Sequence, residues 1–365
     1  MRFRSLQDCR AVAALLVVLF HAAGTLAKEK YLGAALLPLD HFFWFGGDAG
    51  VAFFFVLSGF IIHHVHAKDI GTPQRCPDYL FKRAIRIYPA YIVLFTATAV
   101  AALAVPALRG SLPQNGLVWL KAICLLPQDM RVVGGTGAPV LVVAWSLQYE
   151  LVFYGLMALA ILNRRLGQLS VLAVAACVAL NTWVPQDAFA LRFLGNHLML
   201  LFGLGVLTAM ALRNGWFTAR PGARALLAAA AFILTAILAT DARAHYERLP
   251  FDLAYGLSSA VLIHALAQRD RTRHATDTAA RRGLLPERVG DASYVLYLLH
   301  FPLVSVLAKL ASGVVGRSFF EGVLALIAVT LSCVGASVAF HVFVERPLMN
   351  WLQALRRPSR TTSLA

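Results

Sequence analysis

Hydrophobic residues occur along this chain in long runs, separated by short polar or basic stretches. Ten runs are close to the length that a helix needs to cross a hydrocarbon layer of ~30 Å, about 20 residues. The pattern therefore predicts an all-α integral membrane protein with about ten transmembrane helices, at 11–27, 42–64, 88–108, 144–162, 168–184, 190–212, 225–240, 250–267, 291–311 and 322–343.

Composition and loop lengths refine this fold class. Hydrophobic residues make up 59% of the 365 residues and charged residues only 14%, whereas about a quarter of the residues in soluble proteins are charged. We expect a single transmembrane domain over 1–365, with an Arg-rich cytoplasmic loop at 268–290 and a periplasmic loop at 109–143. An apolar stretch at 117–126 is too short to span, so it predicts an interfacial or re-entrant segment.

Positive charge is concentrated in alternate loops. The net charge is +15, and with the N-terminus inside, most of the 33 lysines and arginines fall on one side. Because cytoplasmic loops carry an excess of these residues, both termini are predicted to be cytoplasmic. The excess of positive charge in the cytoplasmic loops thus explains most of the +15 net charge. We therefore expect the lipid bilayer rather than nucleic acid as a partner. The five cysteines are scattered without metal-ligand spacing, so we expect no metal site.

A histidine lies in the middle of the first predicted span. His21 follows Arg10 by eleven residues, or ~16 Å of helix, which places it near the centre of the hydrocarbon layer. Ionisable side chains at this depth are costly and mark functional sites, and imidazole exchanges protons near neutral pH. Taken alone, His21 is also compatible with a packing histidine bonded to a neighbouring helix.

Two more ionisable side chains are expected at a similar depth on other helices. Glu150 lies about six residues inside the outer end of the fourth span, and His300 lies nine residues beyond Asp291 in the ninth. The pattern indicates a polar chamber in which these side chains and His21 meet. A structural hydrogen bond to a neighbouring helix is the alternative for Glu150.

Charged residues also lie at the predicted ends of two spans. Arg83 and Arg86 are three residues apart and share a helix face, which suits a phosphate clamp. Ordinary positive-inside anchoring is the alternative for this pair. Asp48, near the outer end of the second span, is either a substrate contact or a helix cap.

Six segments in order resemble the acyltransferase-3 family of multi-pass membrane O-acyltransferases. They are the first span with Arg10 and His21, then FFFVLSGF at 53–60, KRAIRIYP at 82–89, WSLQYELVFY at 145–154, SYVLYLLHFP at 293–302 and VERP at 344–347. One departure is Ala52, where many members carry aspartate. The likeness covers nearly the whole chain.

The resemblance implies an acyltransferase in a bacterial inner membrane. It would move an acyl group, usually acetyl from cytoplasmic acetyl-CoA, to a sugar hydroxyl of an exported or cell-surface polysaccharide. Acyl-CoA would be a donor substrate and not a permanently bound cofactor, with phosphates bound by Arg10, Arg83 and Arg86. The partners implied are acyl-CoA, a carbohydrate acceptor and polysaccharide synthesis or export machinery.

Within that reaction, we hypothesise that His21 is the general base on the acceptor hydroxyl and that Glu150 orients the imidazole or holds its charge. Candidates for substrate positioning or oxyanion stabilisation are Ser146, Trp145, Tyr297, His300 and Asp48. An acetyl-histidine intermediate is equally compatible with the sequence, and succinyl-CoA is an alternative donor to acetyl-CoA. The alternative functions are a proton-coupled transporter of a polysaccharide precursor or small acid, and a scaffolding subunit of a polysaccharide synthase.

Overall fold

The computed structural model of the protein describes residues 3–105, 109–110, 112–184, 186–242, 248–272 and 285–356. Regular structure in these ranges is helical, without a strand. The α-helices are α1 (Arg4–Leu26), α2 (Leu37–Phe43), α3 (Gly46–His66), α4 (Cys76–Ala104), α5 (Gly116–Ile123), α6 (Met130–Val133), α7 (Trp145–Leu162), α8 (Arg164–Trp183), α9 (Phe189–Leu194), α10 (Leu198–Arg213), α11 (Pro221–Asp241), α12 (Arg248–Thr272), α13 (Leu285–Asp291), α14 (Ser293–Val314), α15 (Phe319–Phe340) and α16 (Arg346–Leu355).

Nine segments of the described residues are long and apolar enough to cross a membrane. They contain α1, α3, α4, α7, α8, α11, α12, α14 and α15, and they match nine of the ten predicted spans. The predicted all-α multi-pass membrane fold is therefore confirmed.

The remaining predicted span, 190–212, which is the sixth in chain order, is interrupted. Gly195 packs so closely on the Cys177 carbonyl that a Cβ there would lie 2.5 Å from its oxygen. The Asn196 side chain accepts a hydrogen bond from the Leu198 amide at 3.0 Å and so starts a new helix. The sixteen residues of α10 extend only ~24 Å.

Two glycines let α10 approach α3 closely. A Cβ on Gly59 would collide with the Phe202 carbonyl oxygen, and a Cβ on Gly205 would collide with the Val56 carbonyl oxygen. Small residues at such crossings bring helix backbones into direct contact in membranes. Gly59 and Gly205 therefore hold the backbones of α3 and α10 in direct contact.

Helix α1 lies at the centre of the bundle. It packs against α3, α12, α13, α14 and α15, and its buried side chains contribute to both hydrophobic clusters of the structure. By contrast, α8 and α11 lie at the periphery and leave most of their spanning residues exposed. The residues of α1 that face inward, including His21, are therefore surrounded by several helices.

The loop predicted at 109–143 folds back against the bundle. In its short helix α5 and the following turn, the carbonyls of Ala122 and Cys124 accept hydrogen bonds from the hydroxyls of Tyr91 and Tyr88, at 2.6 and 2.9 Å. Tyr91 lies thirteen residues before the end of α4 at Ala104, a distance of ~20 Å along the helix. The re-entrant placement of this loop in the bilayer remains a prediction.

The ends of the other predicted loop, 268–290, are helical: α12 extends to Thr272 and α13 begins at Leu285. Its central residues, 273–284, lie outside the described residues.

The chain leaves α15 through a π-helical turn, His341–Glu345, and continues as α16. Trp351 and Leu355 of α16 are exposed. We did not predict α16 from the sequence, although its apolar residues recur at helical spacing, the signature of an interfacial helix.

Candidate active site

The two histidines predicted at mid-membrane depth meet. His21 on α1 and His300 on α14 have their rings 4.9 Å apart between centroids, and Nε2 of His300 lies 3.2 Å from Nδ1 of His21. His300 is completely buried, whereas His21 is half-buried. The pair is therefore an internal hydrogen-bonded unit with one member accessible.

Backbone carbonyls determine which ring nitrogens of this pair carry protons. A carbonyl oxygen only accepts hydrogen bonds, so Nδ1 of His300, 3.0 Å from the Leu296 oxygen, must carry one. Nε2 of neutral His300 is then an acceptor. Nδ1 of His21 donates to it and to the Val17 oxygen, 2.9 Å away. Neutral His21 consequently keeps an unprotonated Nε2, the form that a general base requires.

A cavity of about 170 Å³ lies beside this pair, between α1, α3, α4, α7 and α14. We call its two ends the arginine end, near Arg83 and Tyr154, and the tyrosine end, near Ser146 and Tyr297. Eight residues of α7 separate Ser146 from Tyr154, so the ends are ~12 Å apart along the helix. His21 lies beyond the cavity lining.

The tyrosine end is held by a chain of hydrogen bonds. The Ser146 hydroxyl donates to the Tyr297 hydroxyl at 2.8 Å, and Tyr297 donates to the Val143 carbonyl at 3.0 Å. The ring of Tyr297 lies 5.9 Å from that of His300 and 6.4 Å from that of Phe54. The tyrosine end of the cavity is thus linked to the histidine pair through the ring contact of Tyr297 with His300.

Glu150 lies midway along the cavity and does not contact the imidazole that it was expected to orient. Its Oε1 accepts hydrogen bonds from Ser58, at 2.9 Å, and from Tyr154, at 2.6 Å. The orienting contact on His21 comes from His300 instead. This difference was not predictable from the sequence, because counted depth does not determine the direction in which a side chain points around its helix.

The three predicted arginines line the same cavity. Arg83 lies over the rings of Tyr79 and Tyr154, with its guanidinium carbon 6.0 and 5.7 Å from their centroids. The Nε atoms of Arg10 and Arg83 are buried without a hydrogen-bond partner among the described residues. Buried donors of this kind are rare and point to a ligand that completes their bonding.

A residue to which the sequence analysis gave no role, Glu345, fixes the third arginine. Glu345 is only 1% exposed, and its Oε1 lies 3.1 Å from Nη1 of Arg86. Its Oε2 lies 2.6 Å from Nδ1 of His341. Glu345 belongs to the π-helical turn, a feature that is frequent at functional sites. The depth rule that singled out Glu150 does not find Glu345, which lies two residues beyond the predicted span 322–343, although Glu345 belongs to the VERP segment at 344–347.

Besides the histidine pair, two predicted site residues lie away from the cavity lining. Asp48 is in the first turn of α3, ten residues or ~15 Å before Ser58. Trp145 begins α7, and its ring contacts those of Phe55 and Tyr149 at 6.5 and 6.1 Å. Neither is among the residues that line the cavity.

Comparison with known proteins gives this geometry a chemical context. A family model described as an acyltransferase domain, acyltransferase-3, matches residues 5–342. The chain belongs to the acyltransferase-3 family. The match spans α1 to the π-helical turn, so it includes the histidine pair and the cavity, while Glu345 lies just beyond it.

Relatives within this family match over almost their whole length. Acyltransferase MdmB of Streptomyces mycarofaciens is 30% identical, over 99% of this chain and 95% of the relative. The exopolysaccharide production protein ExoZ of Rhizobium meliloti (strain 1021) is also 30% identical, over 93% of this chain and 96% of the relative. No solved structure shows a significant match. The chain is thus a membrane acyltransferase, and the transporter and scaffold alternatives are set aside.

Proposed function

We propose that this acyltransferase transfers an acetyl group from acetyl-CoA to a sugar hydroxyl of an exported or cell-surface polysaccharide. The observation that supports it most is the histidine pair, in which the Nε2 lone pair of His21 is kept free beside a cavity lined by three arginines. The relative named for exopolysaccharide production supports the choice of acceptor class.

The donor would enter at the arginine end. Arg10, Arg83 and Arg86 are suited to its phosphates because guanidinium groups bind phosphate through paired, charge-assisted hydrogen bonds. Glu150 would accept hydrogen bonds from the amide groups of the pantetheine arm of acetyl-CoA, where this arm passes along the cavity. The thioester would then lie at the tyrosine end, which the positive-inside rule places deeper in the membrane than the cytoplasmic mouth.

The transfer itself needs one base. Nε2 of His21 takes the proton of the acceptor hydroxyl while that oxygen forms a bond to the thioester carbonyl carbon. The carbon–sulfur bond then breaks, and the thiolate leaves with the proton from His21. Through Nδ1–H, the transient imidazolium keeps its hydrogen bonds to Val17 and His300. Ser146 and Tyr297 lie near the developing oxyanion, and the Ser146 hydroxyl would turn from Tyr297 to donate to it.

The same Nε2 lone pair also serves a two-step route, in which His21 first takes the acetyl group and then passes it to the sugar. Rapid acid quenching separates the two routes. A labelled acetyl-protein adduct that forms and decays within one turnover indicates the two-step route, and its absence at all times indicates direct transfer.

The experiment that tests the function supplies inside-out membrane vesicles with acetyl-CoA labelled on the acetyl group and with polysaccharide. We expect label to enter the polysaccharide and to be released as acetate by mild alkali, as an O-ester is. Vesicles that lack the protein are the control. The proposal fails if the polysaccharide gains no alkali-labile label from acetyl-CoA or other acyl-CoA donors at levels above this control.

A further inference from the structure

A second cavity lies outside the arginine end and continues the first. It has a volume of about 630 Å³ and lies between the start of α4 and helix α16. Arg83 and Arg86 line both cavities, so the two meet at these side chains. We call the second cavity the basic groove. Its lining also includes Phe81, Lys82, Gln353 and Arg356.

The two volumes fit a ligand with a slim part and a bulky part. Sites that hold a whole small molecule measure roughly 300 to 1,000 Å³. The inner cavity, at about 170 Å³, is below that range, whereas the basic groove is well within it. A donor that reaches the tyrosine end through the inner cavity must therefore leave its larger part in the groove.

The charge of the groove favours an anion. Lys82, Arg356 and the two shared arginines face it, and the carboxylate opposed to them on the groove wall is Asp78. Asp78 lies 2.7 Å from Nζ of Lys82 and 3.4 Å from Nη1 of Arg356, so it holds these two cations at one place. Arg83 adds a buried Nε donor that has no hydrogen-bond partner within the described ranges of the chain.

The groove also carries surfaces on which a base can stack. The guanidinium of Arg356 lies 4.5 Å from the centroid of the Phe81 ring. Guanidinium planes and aromatic rings are both stacking partners for nucleobases. Gln353, on the same side of the groove, has an amide that can both donate to and accept from a base edge.

We propose that the basic groove binds the adenosine 3′,5′-bisphosphate part of acyl-CoA, with Lys82 and Arg356 on the phosphates and the Phe81–Arg356 pair beside the adenine. This inference rests on the proposed acyl-CoA donor. It gives the C-terminal helix α16 a part in donor binding, and it places Arg83 and Arg86 at the junction where the nucleotide continues into the pantetheine arm.

The test compares binding of CoA with binding of pantetheine, which lacks the nucleotide. The full chain in phosphatidylcholine nanodiscs is titrated with each probe, as wild type and as the double variant Lys82→Ala/Arg356→Ala. Loss of two charge-assisted phosphate contacts should weaken CoA binding about 10-fold to 100-fold. Pantetheine binding should stay unchanged, because neither side chain lines the inner cavity.

The matched control is Arg164→Ala/Arg165→Ala. It also removes two positive charges, from exposed positions at the start of α8 that lie outside the groove. This variant should bind CoA as the wild type does. An equal loss of CoA binding in the control would mean that net charge is responsible, and the inference would be overturned.

Two further outcomes would also overturn it. One is wild-type CoA affinity in the Lys82→Ala/Arg356→Ala variant. The other is an equal loss of pantetheine binding in that variant, which would mean that the substitutions disturb the inner cavity or the fold and not a nucleotide site in the groove. In both cases the wild type still binds CoA, so the proposed function stands. A wild type that binds no CoA would instead contradict the proposed donor itself.

Discussion

At the scale of single residues, the hydrogen bonds around His21 determine which of its nitrogens can act as a base. The Val17 carbonyl and Nε2 of His300 both accept from Nδ1, so the other nitrogen keeps its lone pair. His300 is itself held in one tautomer by the Leu296 carbonyl. This arrangement makes His300 a positioning residue that acts through His21.

Two substitutions of His300 distinguish this role from simple packing. Glutamine keeps an acceptor near the position of Nε2, whereas leucine does not. We expect His300→Leu to lower kcat about tenfold, the equivalent of one hydrogen bond of ~1.4 kcal/mol, and His300→Gln to retain most activity. KM for the donor should not change in either variant.

The tautomer of His21 provides a readout that packing would not affect. In the nitrogen NMR spectrum of histidine-labelled protein, His21 should be protonated on Nδ1 in the wild type and in His300→Gln. In His300→Leu this tautomer should be less populated, because only the Val17 carbonyl still accepts from Nδ1. Equal kcat and the same His21 tautomer in the leucine and glutamine variants would contradict the positioning role.

The residue scale also shows what the sequence could and could not predict. The meeting of His21 and His300 followed from counting residues from the ends of their helices, since each residue adds ~1.5 Å of depth. Glu150 was placed at a suitable depth by the same count. Its partners, Ser58 and Tyr154, were not predicted, because each residue also turns by about 100° and the neighbours on each face depend on packing.

At the scale of helices, the crossing of α3 and α10 depends on having no side chain at Gly205. A Cβ there would collide with the Val56 carbonyl, whereas a Cβ on Gly203 of the same helix would meet open space. We expect Gly205→Ala to lower the free energy of unfolding by about 1–3 kcal/mol, the usual effect of overpacking.

The matched variant Gly203→Ala should unfold like the wild type. Unfolding in mixed micelles by titration with sodium dodecyl sulfate measures both variants. Equal stability of the two variants would mean that the α3–α10 contact is looser than the structure shows.

The ion pair between Arg86 and Glu345, at the π-helical turn after α15, leads to a second prediction at this scale. Removing one partner of a buried ion pair leaves an uncompensated charge and costs about 3–5 kcal/mol. Arg86→Met should therefore destabilise the protein because Glu345 is buried, but by less than this amount, since Arg86 is 28% exposed and His341 still contacts Glu345. The double variant Arg86→Met/Glu345→Met should recover much of the loss, as measured by the same titration. A double variant that is less stable than Arg86→Met would contradict this account of the turn.

Helix lengths and types were predictable from the sequence, but helix breaks were not. Nine spans followed from apolar runs of sufficient length. The run at 190–212 contains Gly195 and Asn196, and their effect depends on the contact of Gly195 with the Cys177 carbonyl of α8. Such a contact forms between helices and leaves no pattern within one segment.

At the scale of the whole molecule, the positive-inside rule predicts that the arginine end faces the cytoplasm. Two single-cysteine additions test this orientation. Thr136→Cys lies in the exposed part of the predicted periplasmic loop, and Arg165→Cys lies at the exposed start of α8. In spheroplasts, a membrane-impermeant maleimide should label only the first variant above the wild-type background. Labelling of only the second would invert the proposed topology.

With that orientation, we propose that donor and acceptor approach the base from two different sides. The arginine-lined cavity reaches the histidine pair from one side through Tyr297, while His21 is half-buried and in contact with Phe20 and Phe301. A donor on one side and an acceptor on the other can then react without either crossing the membrane. The catalytic claim therefore rests on His21.

The most direct test of that claim is transfer of labelled acetyl by His21→Asn in inside-out vesicles. Asparagine keeps a donor near the position of Nδ1 and removes Nε2, so the fold should persist while the base is lost. The control, His64→Asn, removes a histidine that stacks on Phe60 away from the cavity. We predict that label transfer is abolished in His21→Asn and retained in His64→Asn at matched protein levels. Wild-type transfer by His21→Asn would contradict the account.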